Sequence, residues 1–300
     1  MTELRVVTAG ATLAATVTPG DDVVLVALHG ASEGTGASSL YEHLHRVLPA
    51  AGIGVVTFDR RGEGASTGTP SLGRFDVQAD DAIAVLESVG ARRRVVWGYS
   101  QGAWVAPLVA ARDPGVLGVV TIAACGTTPS DQMQYGVRRH LIDAGYADAV
   151  DEALSLRAEV ARAMRRDPFD ESALVERLRA ASLEPWWPHA SLSASLPDDA
   201  GRDAWVAEMD YDPAPPMAAL RCAVLAFYGA DDEWTPVEPS VRAWAALQPA
   251  RAEVQVLDGA SHSLHDRSGS LHPRYETRLM TWLVERCAAS EPSHDAPGGS

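Results

Sequence analysis

A serine set between glycines, Gly98-Tyr99-Ser100-Gln101-Gly102, is where this 300-residue chain has the clearest capacity for chemistry. An apolar run at residues 95–97 precedes it and a helical pattern begins near Gln101. On a sharp strand-to-helix turn the hydroxyl projects above a sheet, the glycines keep crowded backbone clear, and the helix N-terminus favours developing negative charge. Such a serine can attack an acyl carbon once a base removes its proton. In a chain with 25 glycines the pentapeptide alone is a weak signal, so its specificity must come from partners.

Three further strand ends supply them. His29-Gly30-Ala31 follows the run 23–28, where the Ala31 amide can meet an oxyanion; the Gln101 amide, next to the serine, is the second donor. Gly229-Ala230-Asp231-Asp232-Glu233-Trp234-Thr235-Pro236 follows the run 223–228 and offers three adjacent acids. Gly259-Ala260-Ser261-His262 follows the run 253–257 and puts a histidine on the neighbouring loop, with His265 as a competing base. Serine, acid and histidine thus occur in that chain order, each at the C-terminal end of a strand, and would meet on one edge of a sheet.

The elements that must hold them alternate. Residues 4–7 and 13–17 have the pattern of a leading hairpin, and continuous apolar runs at 23–28, 54–58, 95–97 and 118–123 suggest strands buried on both faces. Helical spacing at 38–51, at 76–89 and after Gln101 separates these runs, so a mostly parallel sheet with right-handed crossovers is expected. From 127 to 216 no strand-like run appears, whereas 132–141, 147–165 and 171–183 have amphipathic helical patterns. That stretch carries 17 acidic residues against 9 arginines, a net of −8, and is expected to be an inserted helical lid. Alternation then resumes with strands at 223–228 and 253–257 and helices at 237–247 and 274–287.

At these residues the chain resembles the α/β-hydrolase superfamily, in its serine-nucleophile esterase-like branch, over residues 23–126 and 217–285. Asp59-Arg60-Arg61-Gly62-Glu63-Gly64-Ala65-Ser66 is similar to that family's D-x-R-G-x-G-x-S turn, which is structural there. The resemblance implies Ser100 as nucleophile and His262 as base. The acid it implies is Asp232, three residues after the strand-ending glycine and four before a proline. Backbone amides of Ala31 and Gln101 would form the oxyanion hole, and the ring of His29 would be structural. Neither a metal nor an organic cofactor is implied. The expected organisation is a core at 1–126, a lid at 127–216, the rest of the core at 217–288 and a disordered tail at 289–300. In the lid, Trp186, Trp187, His189, Trp205 and Tyr211 are candidate substrate contacts, while Glu33 and Glu63 are expected to be exposed loop carboxylates.

Composition narrows the functions. The formal charge of −15 and pI near 4.9 would repel phosphate backbones and anionic lipid, so neither nucleic acid nor a membrane surface is an expected partner. All 25 basic residues are arginine, which removes Schiff-base and P-loop lysines and with them pyridoxal phosphate and Walker-type nucleotide chemistry. Cys125, Cys222 and Cys287 are odd in number and widely spaced, as reduced core thiols would be. With no signal-peptide pattern and no apolar stretch of spanning length, a cytoplasmic protein is expected. The expected activity is cleavage of a small-molecule carboxylic ester, such as a lactone, natural-product or antibiotic ester, through an acyl-enzyme. A thioesterase or peptidase with the same machinery, and a non-catalytic binding protein with the same fold, are the alternatives. Oligomeric state has no sequence signature.

Overall fold

The computed structural model describes residues 1–289 apart from Glu33, Ala37 and Ser38; the expected tail from Ser290 onward, like Glu33, lies outside the described residues. Eight strands form one sheet in the order β1-β2-β4-β3-β5-β6-β7-β8. β1 (Thr2–Thr8) and β2 (Ala11–Thr18) make the antiparallel hairpin, and β2 joins β4 (Ile53–Phe58) antiparallel. From there the sheet is parallel through β3 (Val23–Leu28), β5 (Arg93–Tyr99), β6 (Val116–Ile122), β7 (Ala223–Gly229) and β8 (Ala252–Leu257). All six residues of β4 are buried, as the unbroken apolar run requires for a strand covered on both faces.

Helices cover those faces. α1 (Ser39–Val47) and α10 (Pro273–Ala289) pack on one side, where Leu44, Trp97, Phe227 and Trp282 belong to one core. α2 (Phe75–Ser88), α3 (Gln101–Arg112) and α9 (Val237–Leu247) pack on the other, around Phe75, Val105, Tyr228 and Trp244. The architecture is therefore an α/β-hydrolase fold with a mostly parallel sheet. Between β6 and β7 the chain makes a helical insertion: α4 (Pro129–Asp143), α5 (Val150–Met164), α6 (Glu171–Ala181), α7 (Asp199–Met209) and α8 (Ala214–Ala219). α4, α6 and α7 start on Thr128, Asp170 and Asp198, whose side chains accept amide hydrogen bonds two or three residues into the helix. The insertion has its own small core around Val137, Leu156, Leu178 and Trp186.

The sequence pattern omits α7 and α8. α7 buries no residue fully and contains Gly201, so its apolar periodicity is faint; α8 is six residues long with two prolines in its first turn. Among the described residues no helix is long and apolar enough to cross a membrane. The three cysteines are free, with Cys125 buried and the other two half-buried.

Candidate active site

Ser100 caps α3 with φ 51° and ψ −113°, a backbone conformation that costs a non-glycine residue of order 1–3 kcal/mol. Two glycines permit this turn. A Cβ on Gly98 would lie 2.2 Å from the Gly102 carbonyl oxygen, and one on Gly102 would lie 2.5 Å from that of Leu28. The hydroxyl is thereby lifted off the sheet edge, where it meets a ring carried 162 residues away: His262 Nε2 stands 2.9 Å from Ser100 Oγ. On the far side of that ring, Nδ1 lies 2.9 and 3.0 Å from the two carboxylate oxygens of Asp232. A carboxylate only accepts, so Nδ1 carries the proton and the bare Nε2 accepts from the serine hydroxyl. This tautomer is the one that can remove a proton from Ser100.

Asp232 is 2% exposed, and its Oδ1 also accepts from the amides of Trp234 (2.8 Å) and Thr235 (2.7 Å). Asp231 is exposed instead, its amide bonded to the Ala260 carbonyl at 3.0 Å. Glu233 accepts from the His262 amide at 3.2 Å and so ties the acid loop to the histidine loop. His265 bonds Ser263 through Nδ1. Ala31 and Gln101 both line the pocket at Ser100, and neither amide N–H finds an acceptor among the described residues. Two free donors beside a positioned hydroxyl can receive the oxyanion of a tetrahedral intermediate.

What holds those donors has no signature in the sequence. Arg60 is 3% exposed and donates through Nη1 to the Gly30 carbonyl and the Gln101 side chain, both at 3.2 Å, and through Nη2 to the Ala31 carbonyl at 3.3 Å. Its Nε donates to Glu63, which is therefore the half-buried counter-ion of a buried guanidinium rather than the exposed loop carboxylate expected. His29 is also engaged: burial pushes its pKa down to about 4, with Nε2–H donating to the Phe58 carbonyl and Nδ1 accepting from Tyr41.

One family model, the Alpha/beta hydrolase family, matches residues 23–271. The chain belongs to this family. The hydrolase is 24% identical over 203 residues, 66% of its own length and 71% of the relative's, to the AB hydrolase superfamily protein YisY of Bacillus subtilis. Its fold is similar to that of a proline iminopeptidase from Mycobacterium smegmatis (TM-score 0.60, 20% identity, covering 97% of this chain and 100% of that one). It is likewise similar to that of a thermophilic esterase from Thermogutta terrifontis (TM-score 0.61, 19% identity, covering 95% and 99%).

In this α/β hydrolase the cavity at Ser100 measures about 270 Å³, and the insertion closes over it through Gln132, Met133, Glu208 and Met209. Of the aromatic residues expected to touch substrate there, none is on its wall. Trp186 is buried in the insertion's core with Trp187 packed against it, and His189 lies against Tyr146. Tyr211 packs edge-on to Phe75 and donates to the Trp104 carbonyl. Trp205 lines an adjoining cavity. Aromatic spacing in the sequence did not separate packing from lining; in their place the pocket has Trp104 and Trp234.

Glu208 was not singled out by any motif. Burial raises its carboxyl pKa, opposed by a hydrogen bond from Gln101 Nε2 (3.1 Å) and by the charge of Arg60. Because the folded state holds this proton more tightly than the unfolded chain, stability is highest below the ordinary carboxylate range and falls as pH rises through the folded pKa. Gln at 208 still accepts from Gln101 without a buried charge. Glu208→Gln is therefore expected to raise Tm by about 2 °C at pH 7.5, with the gain vanishing near pH 4 in a thermal melt; an equal gain at both pH values would sink this account.

Proposed function

We propose that this α/β hydrolase cleaves carboxylic esters of small molecules through a Ser100-His262-Asp232 triad and an acyl-enzyme intermediate. The reading rests on one observation: the relay in which Asp232 holds Nδ1–H of His262 and leaves Nε2 to accept from Ser100. Ser100 Oγ attacks the acyl carbon as its proton passes to His262. The oxyanion forms against the Ala31 and Gln101 amides, each donor contributing roughly 3–4 kcal/mol. Imidazolium, stabilised by Asp232, gives its proton to the leaving alcohol, and water activated by the same ring releases the acid. The helical insertion acts as a lid over this site, and the substrate enters beneath it.

Ester, thioester and amide share this intermediate, so turnover separates them: p-nitrophenyl butyrate, butyryl-coenzyme A and an aminoacyl arylamide are compared at equal concentration. The ester is expected to lead. Preference for the thioester or arylamide would move the protein to those classes, and binding without turnover of any would favour a receptor. Arg60 supplies a further check. Arg60→Met frees the Gly30–Ala31 loop and is expected to lower kcat about 100-fold with a smaller change in KM, the size of loss that follows a misplaced catalytic group. A loss confined to KM would mean that Arg60 serves substrate binding.

A further inference from the structure

A second cavity of about 390 Å³ lies inside the insertion, between α4, α5, α7 and the segment 191–197. It shares Met133 and Met209 with the cavity at Ser100, so these two side chains form the partition between them. Unbranched thioethers re-pack readily, which makes such a partition easy to pass. The inner wall is mostly apolar, with Val160, Met164, Leu192 and Trp205. Ser191, Ser193 and Ser195 add neutral polar groups, and Arg157 is the one charged residue on this wall. Its Nη1 donates to the carbonyls of Ala190 (3.2 Å) and Ser191 (2.7 Å), Nε is buried without an acceptor, and Nη2 has none among the described residues.

The contrast with its neighbours matters. Arg165, Arg166, Arg177 and Arg202 each reach a carboxylate of the insertion, at Asp210, Asp203, Glu159 and Glu171. Arg157 reaches none among the described residues; Arg138, Arg162 and Arg179 reach none either, but they are exposed to water and Arg157 is half-buried. Burial lowers its pKa, but a guanidinium remains charged at neutral pH. A half-buried cation without a carboxylate partner, its Nε sealed from water and its guanidinium on the wall of a cavity, is suited to an arriving anion.

We propose that the insertion cavity is a distal substrate subsite: it takes an ester whose reacting carbonyl sits at Ser100, whose apolar chain passes Met133 and Met209, and whose far end is a carboxylate paired with Arg157. This deepens the ester-hydrolase reading and rests on it. A carboxylate suits the site because the planar guanidinium presents parallel donors to two oxygens.

The test uses charged and uncharged probes of equal length. On the acyl side, mono-p-nitrophenyl suberate is compared with p-nitrophenyl octanoate; on the alcohol side, 8-acetoxyoctanoate is compared with octyl acetate. On one side the carboxylated ester is expected to be preferred about tenfold or more in kcat/KM, the range for a hydrogen bond to a charged group. Arg157→Met should bring that ratio to about one, Arg157→Lys should restore part of it, and exposed Arg177→Gln should leave it intact. Val160→Trp, which fills the cavity while leaving Arg157 in the chain, should abolish the preference too, so a poorly folding Arg157→Met does not end the test. No preference in the wild type on either side, or a ratio that survives both Arg157→Met and Val160→Trp, overturns the subsite. Turnover of p-nitrophenyl butyrate, and its loss in Ser100→Ala, reports separately on the hydrolase reading.

Discussion

Replacing Ser100 by alanine is expected to lower kcat on p-nitrophenyl butyrate by about 10⁴-fold or more, because the bond-forming atom is removed while the oxyanion donors and the pocket remain. The fold should survive. Alanine has the same backbone restrictions at φ 51° as serine, and the change deletes one hydrogen bond at the edge of a cavity rather than core volume. Intact-mass spectrometry after exposure to a fluorophosphonate gives the direct check: one adduct on the wild type and none on the variant. Equal labelling of the two would show that the reactive nucleophile is elsewhere, and unchanged turnover would remove Ser100 from the mechanism altogether.

Asp232→Asn should be nearly as severe, about 10⁴-fold in kcat, for a reason visible in the hydrogen bonds. Oδ1 of Asp232 already accepts from the amides of Trp234 and Thr235, so an asparagine keeps its carbonyl oxygen there and places its NH₂ at the Oδ2 position, 3.0 Å from His262 Nδ1. An NH₂ facing Nδ1 requires that nitrogen to be bare, which moves the ring proton to Nε2. That nitrogen could then no longer accept from Ser100. Asp231→Asn changes an exposed side chain one position away and should alter kcat by less than about twofold, within the range of ordinary surface substitutions. Comparing the two variants on one ester settles the assignment; a larger loss at Asp231 would transfer the role to it.

Much of this arrangement is legible in the sequence because the sheet and the strand-end loops have strong local signals. The run 23–28 coincides with β3, and Ser100, Asp232 and His262 each follow the C-terminal end of a parallel strand, so parallel pairing alone brings them to one edge. What was hidden depends on partners far apart in the chain. Arg60 lies in a turn that resembles a family motif, yet its reach to Gly30, Ala31 and Gln101 exists only once three loops converge. Glu208 and Arg157 lie on helices whose outward appearance is that of any charged surface helix. The burial that makes them interesting comes from the packing of the insertion against the core and against itself. The tryptophans depend on the same packing, which sends Trp186 into the core of the insertion and Trp205 onto a cavity wall.

The order in which the chain is made has a consequence for the cell. Ser100 and the amides of Ala31 and Gln101 are synthesised before the insertion, and Asp232 and His262 after it. At ribosomal rates of roughly 5–20 residues per second, the stretch from Ser100 to His262 takes on the order of ten to thirty seconds to emerge. The last support comes later still: Tyr275, on the terminal helix, accepts from the Trp97 indole and bonds His43 in the core on the sheet face opposite α3. A nascent or truncated chain ending before β8 would display its serine turn without the ring of His262 to accept its proton, and the hydroxyl would stay unactivated until that loop is made.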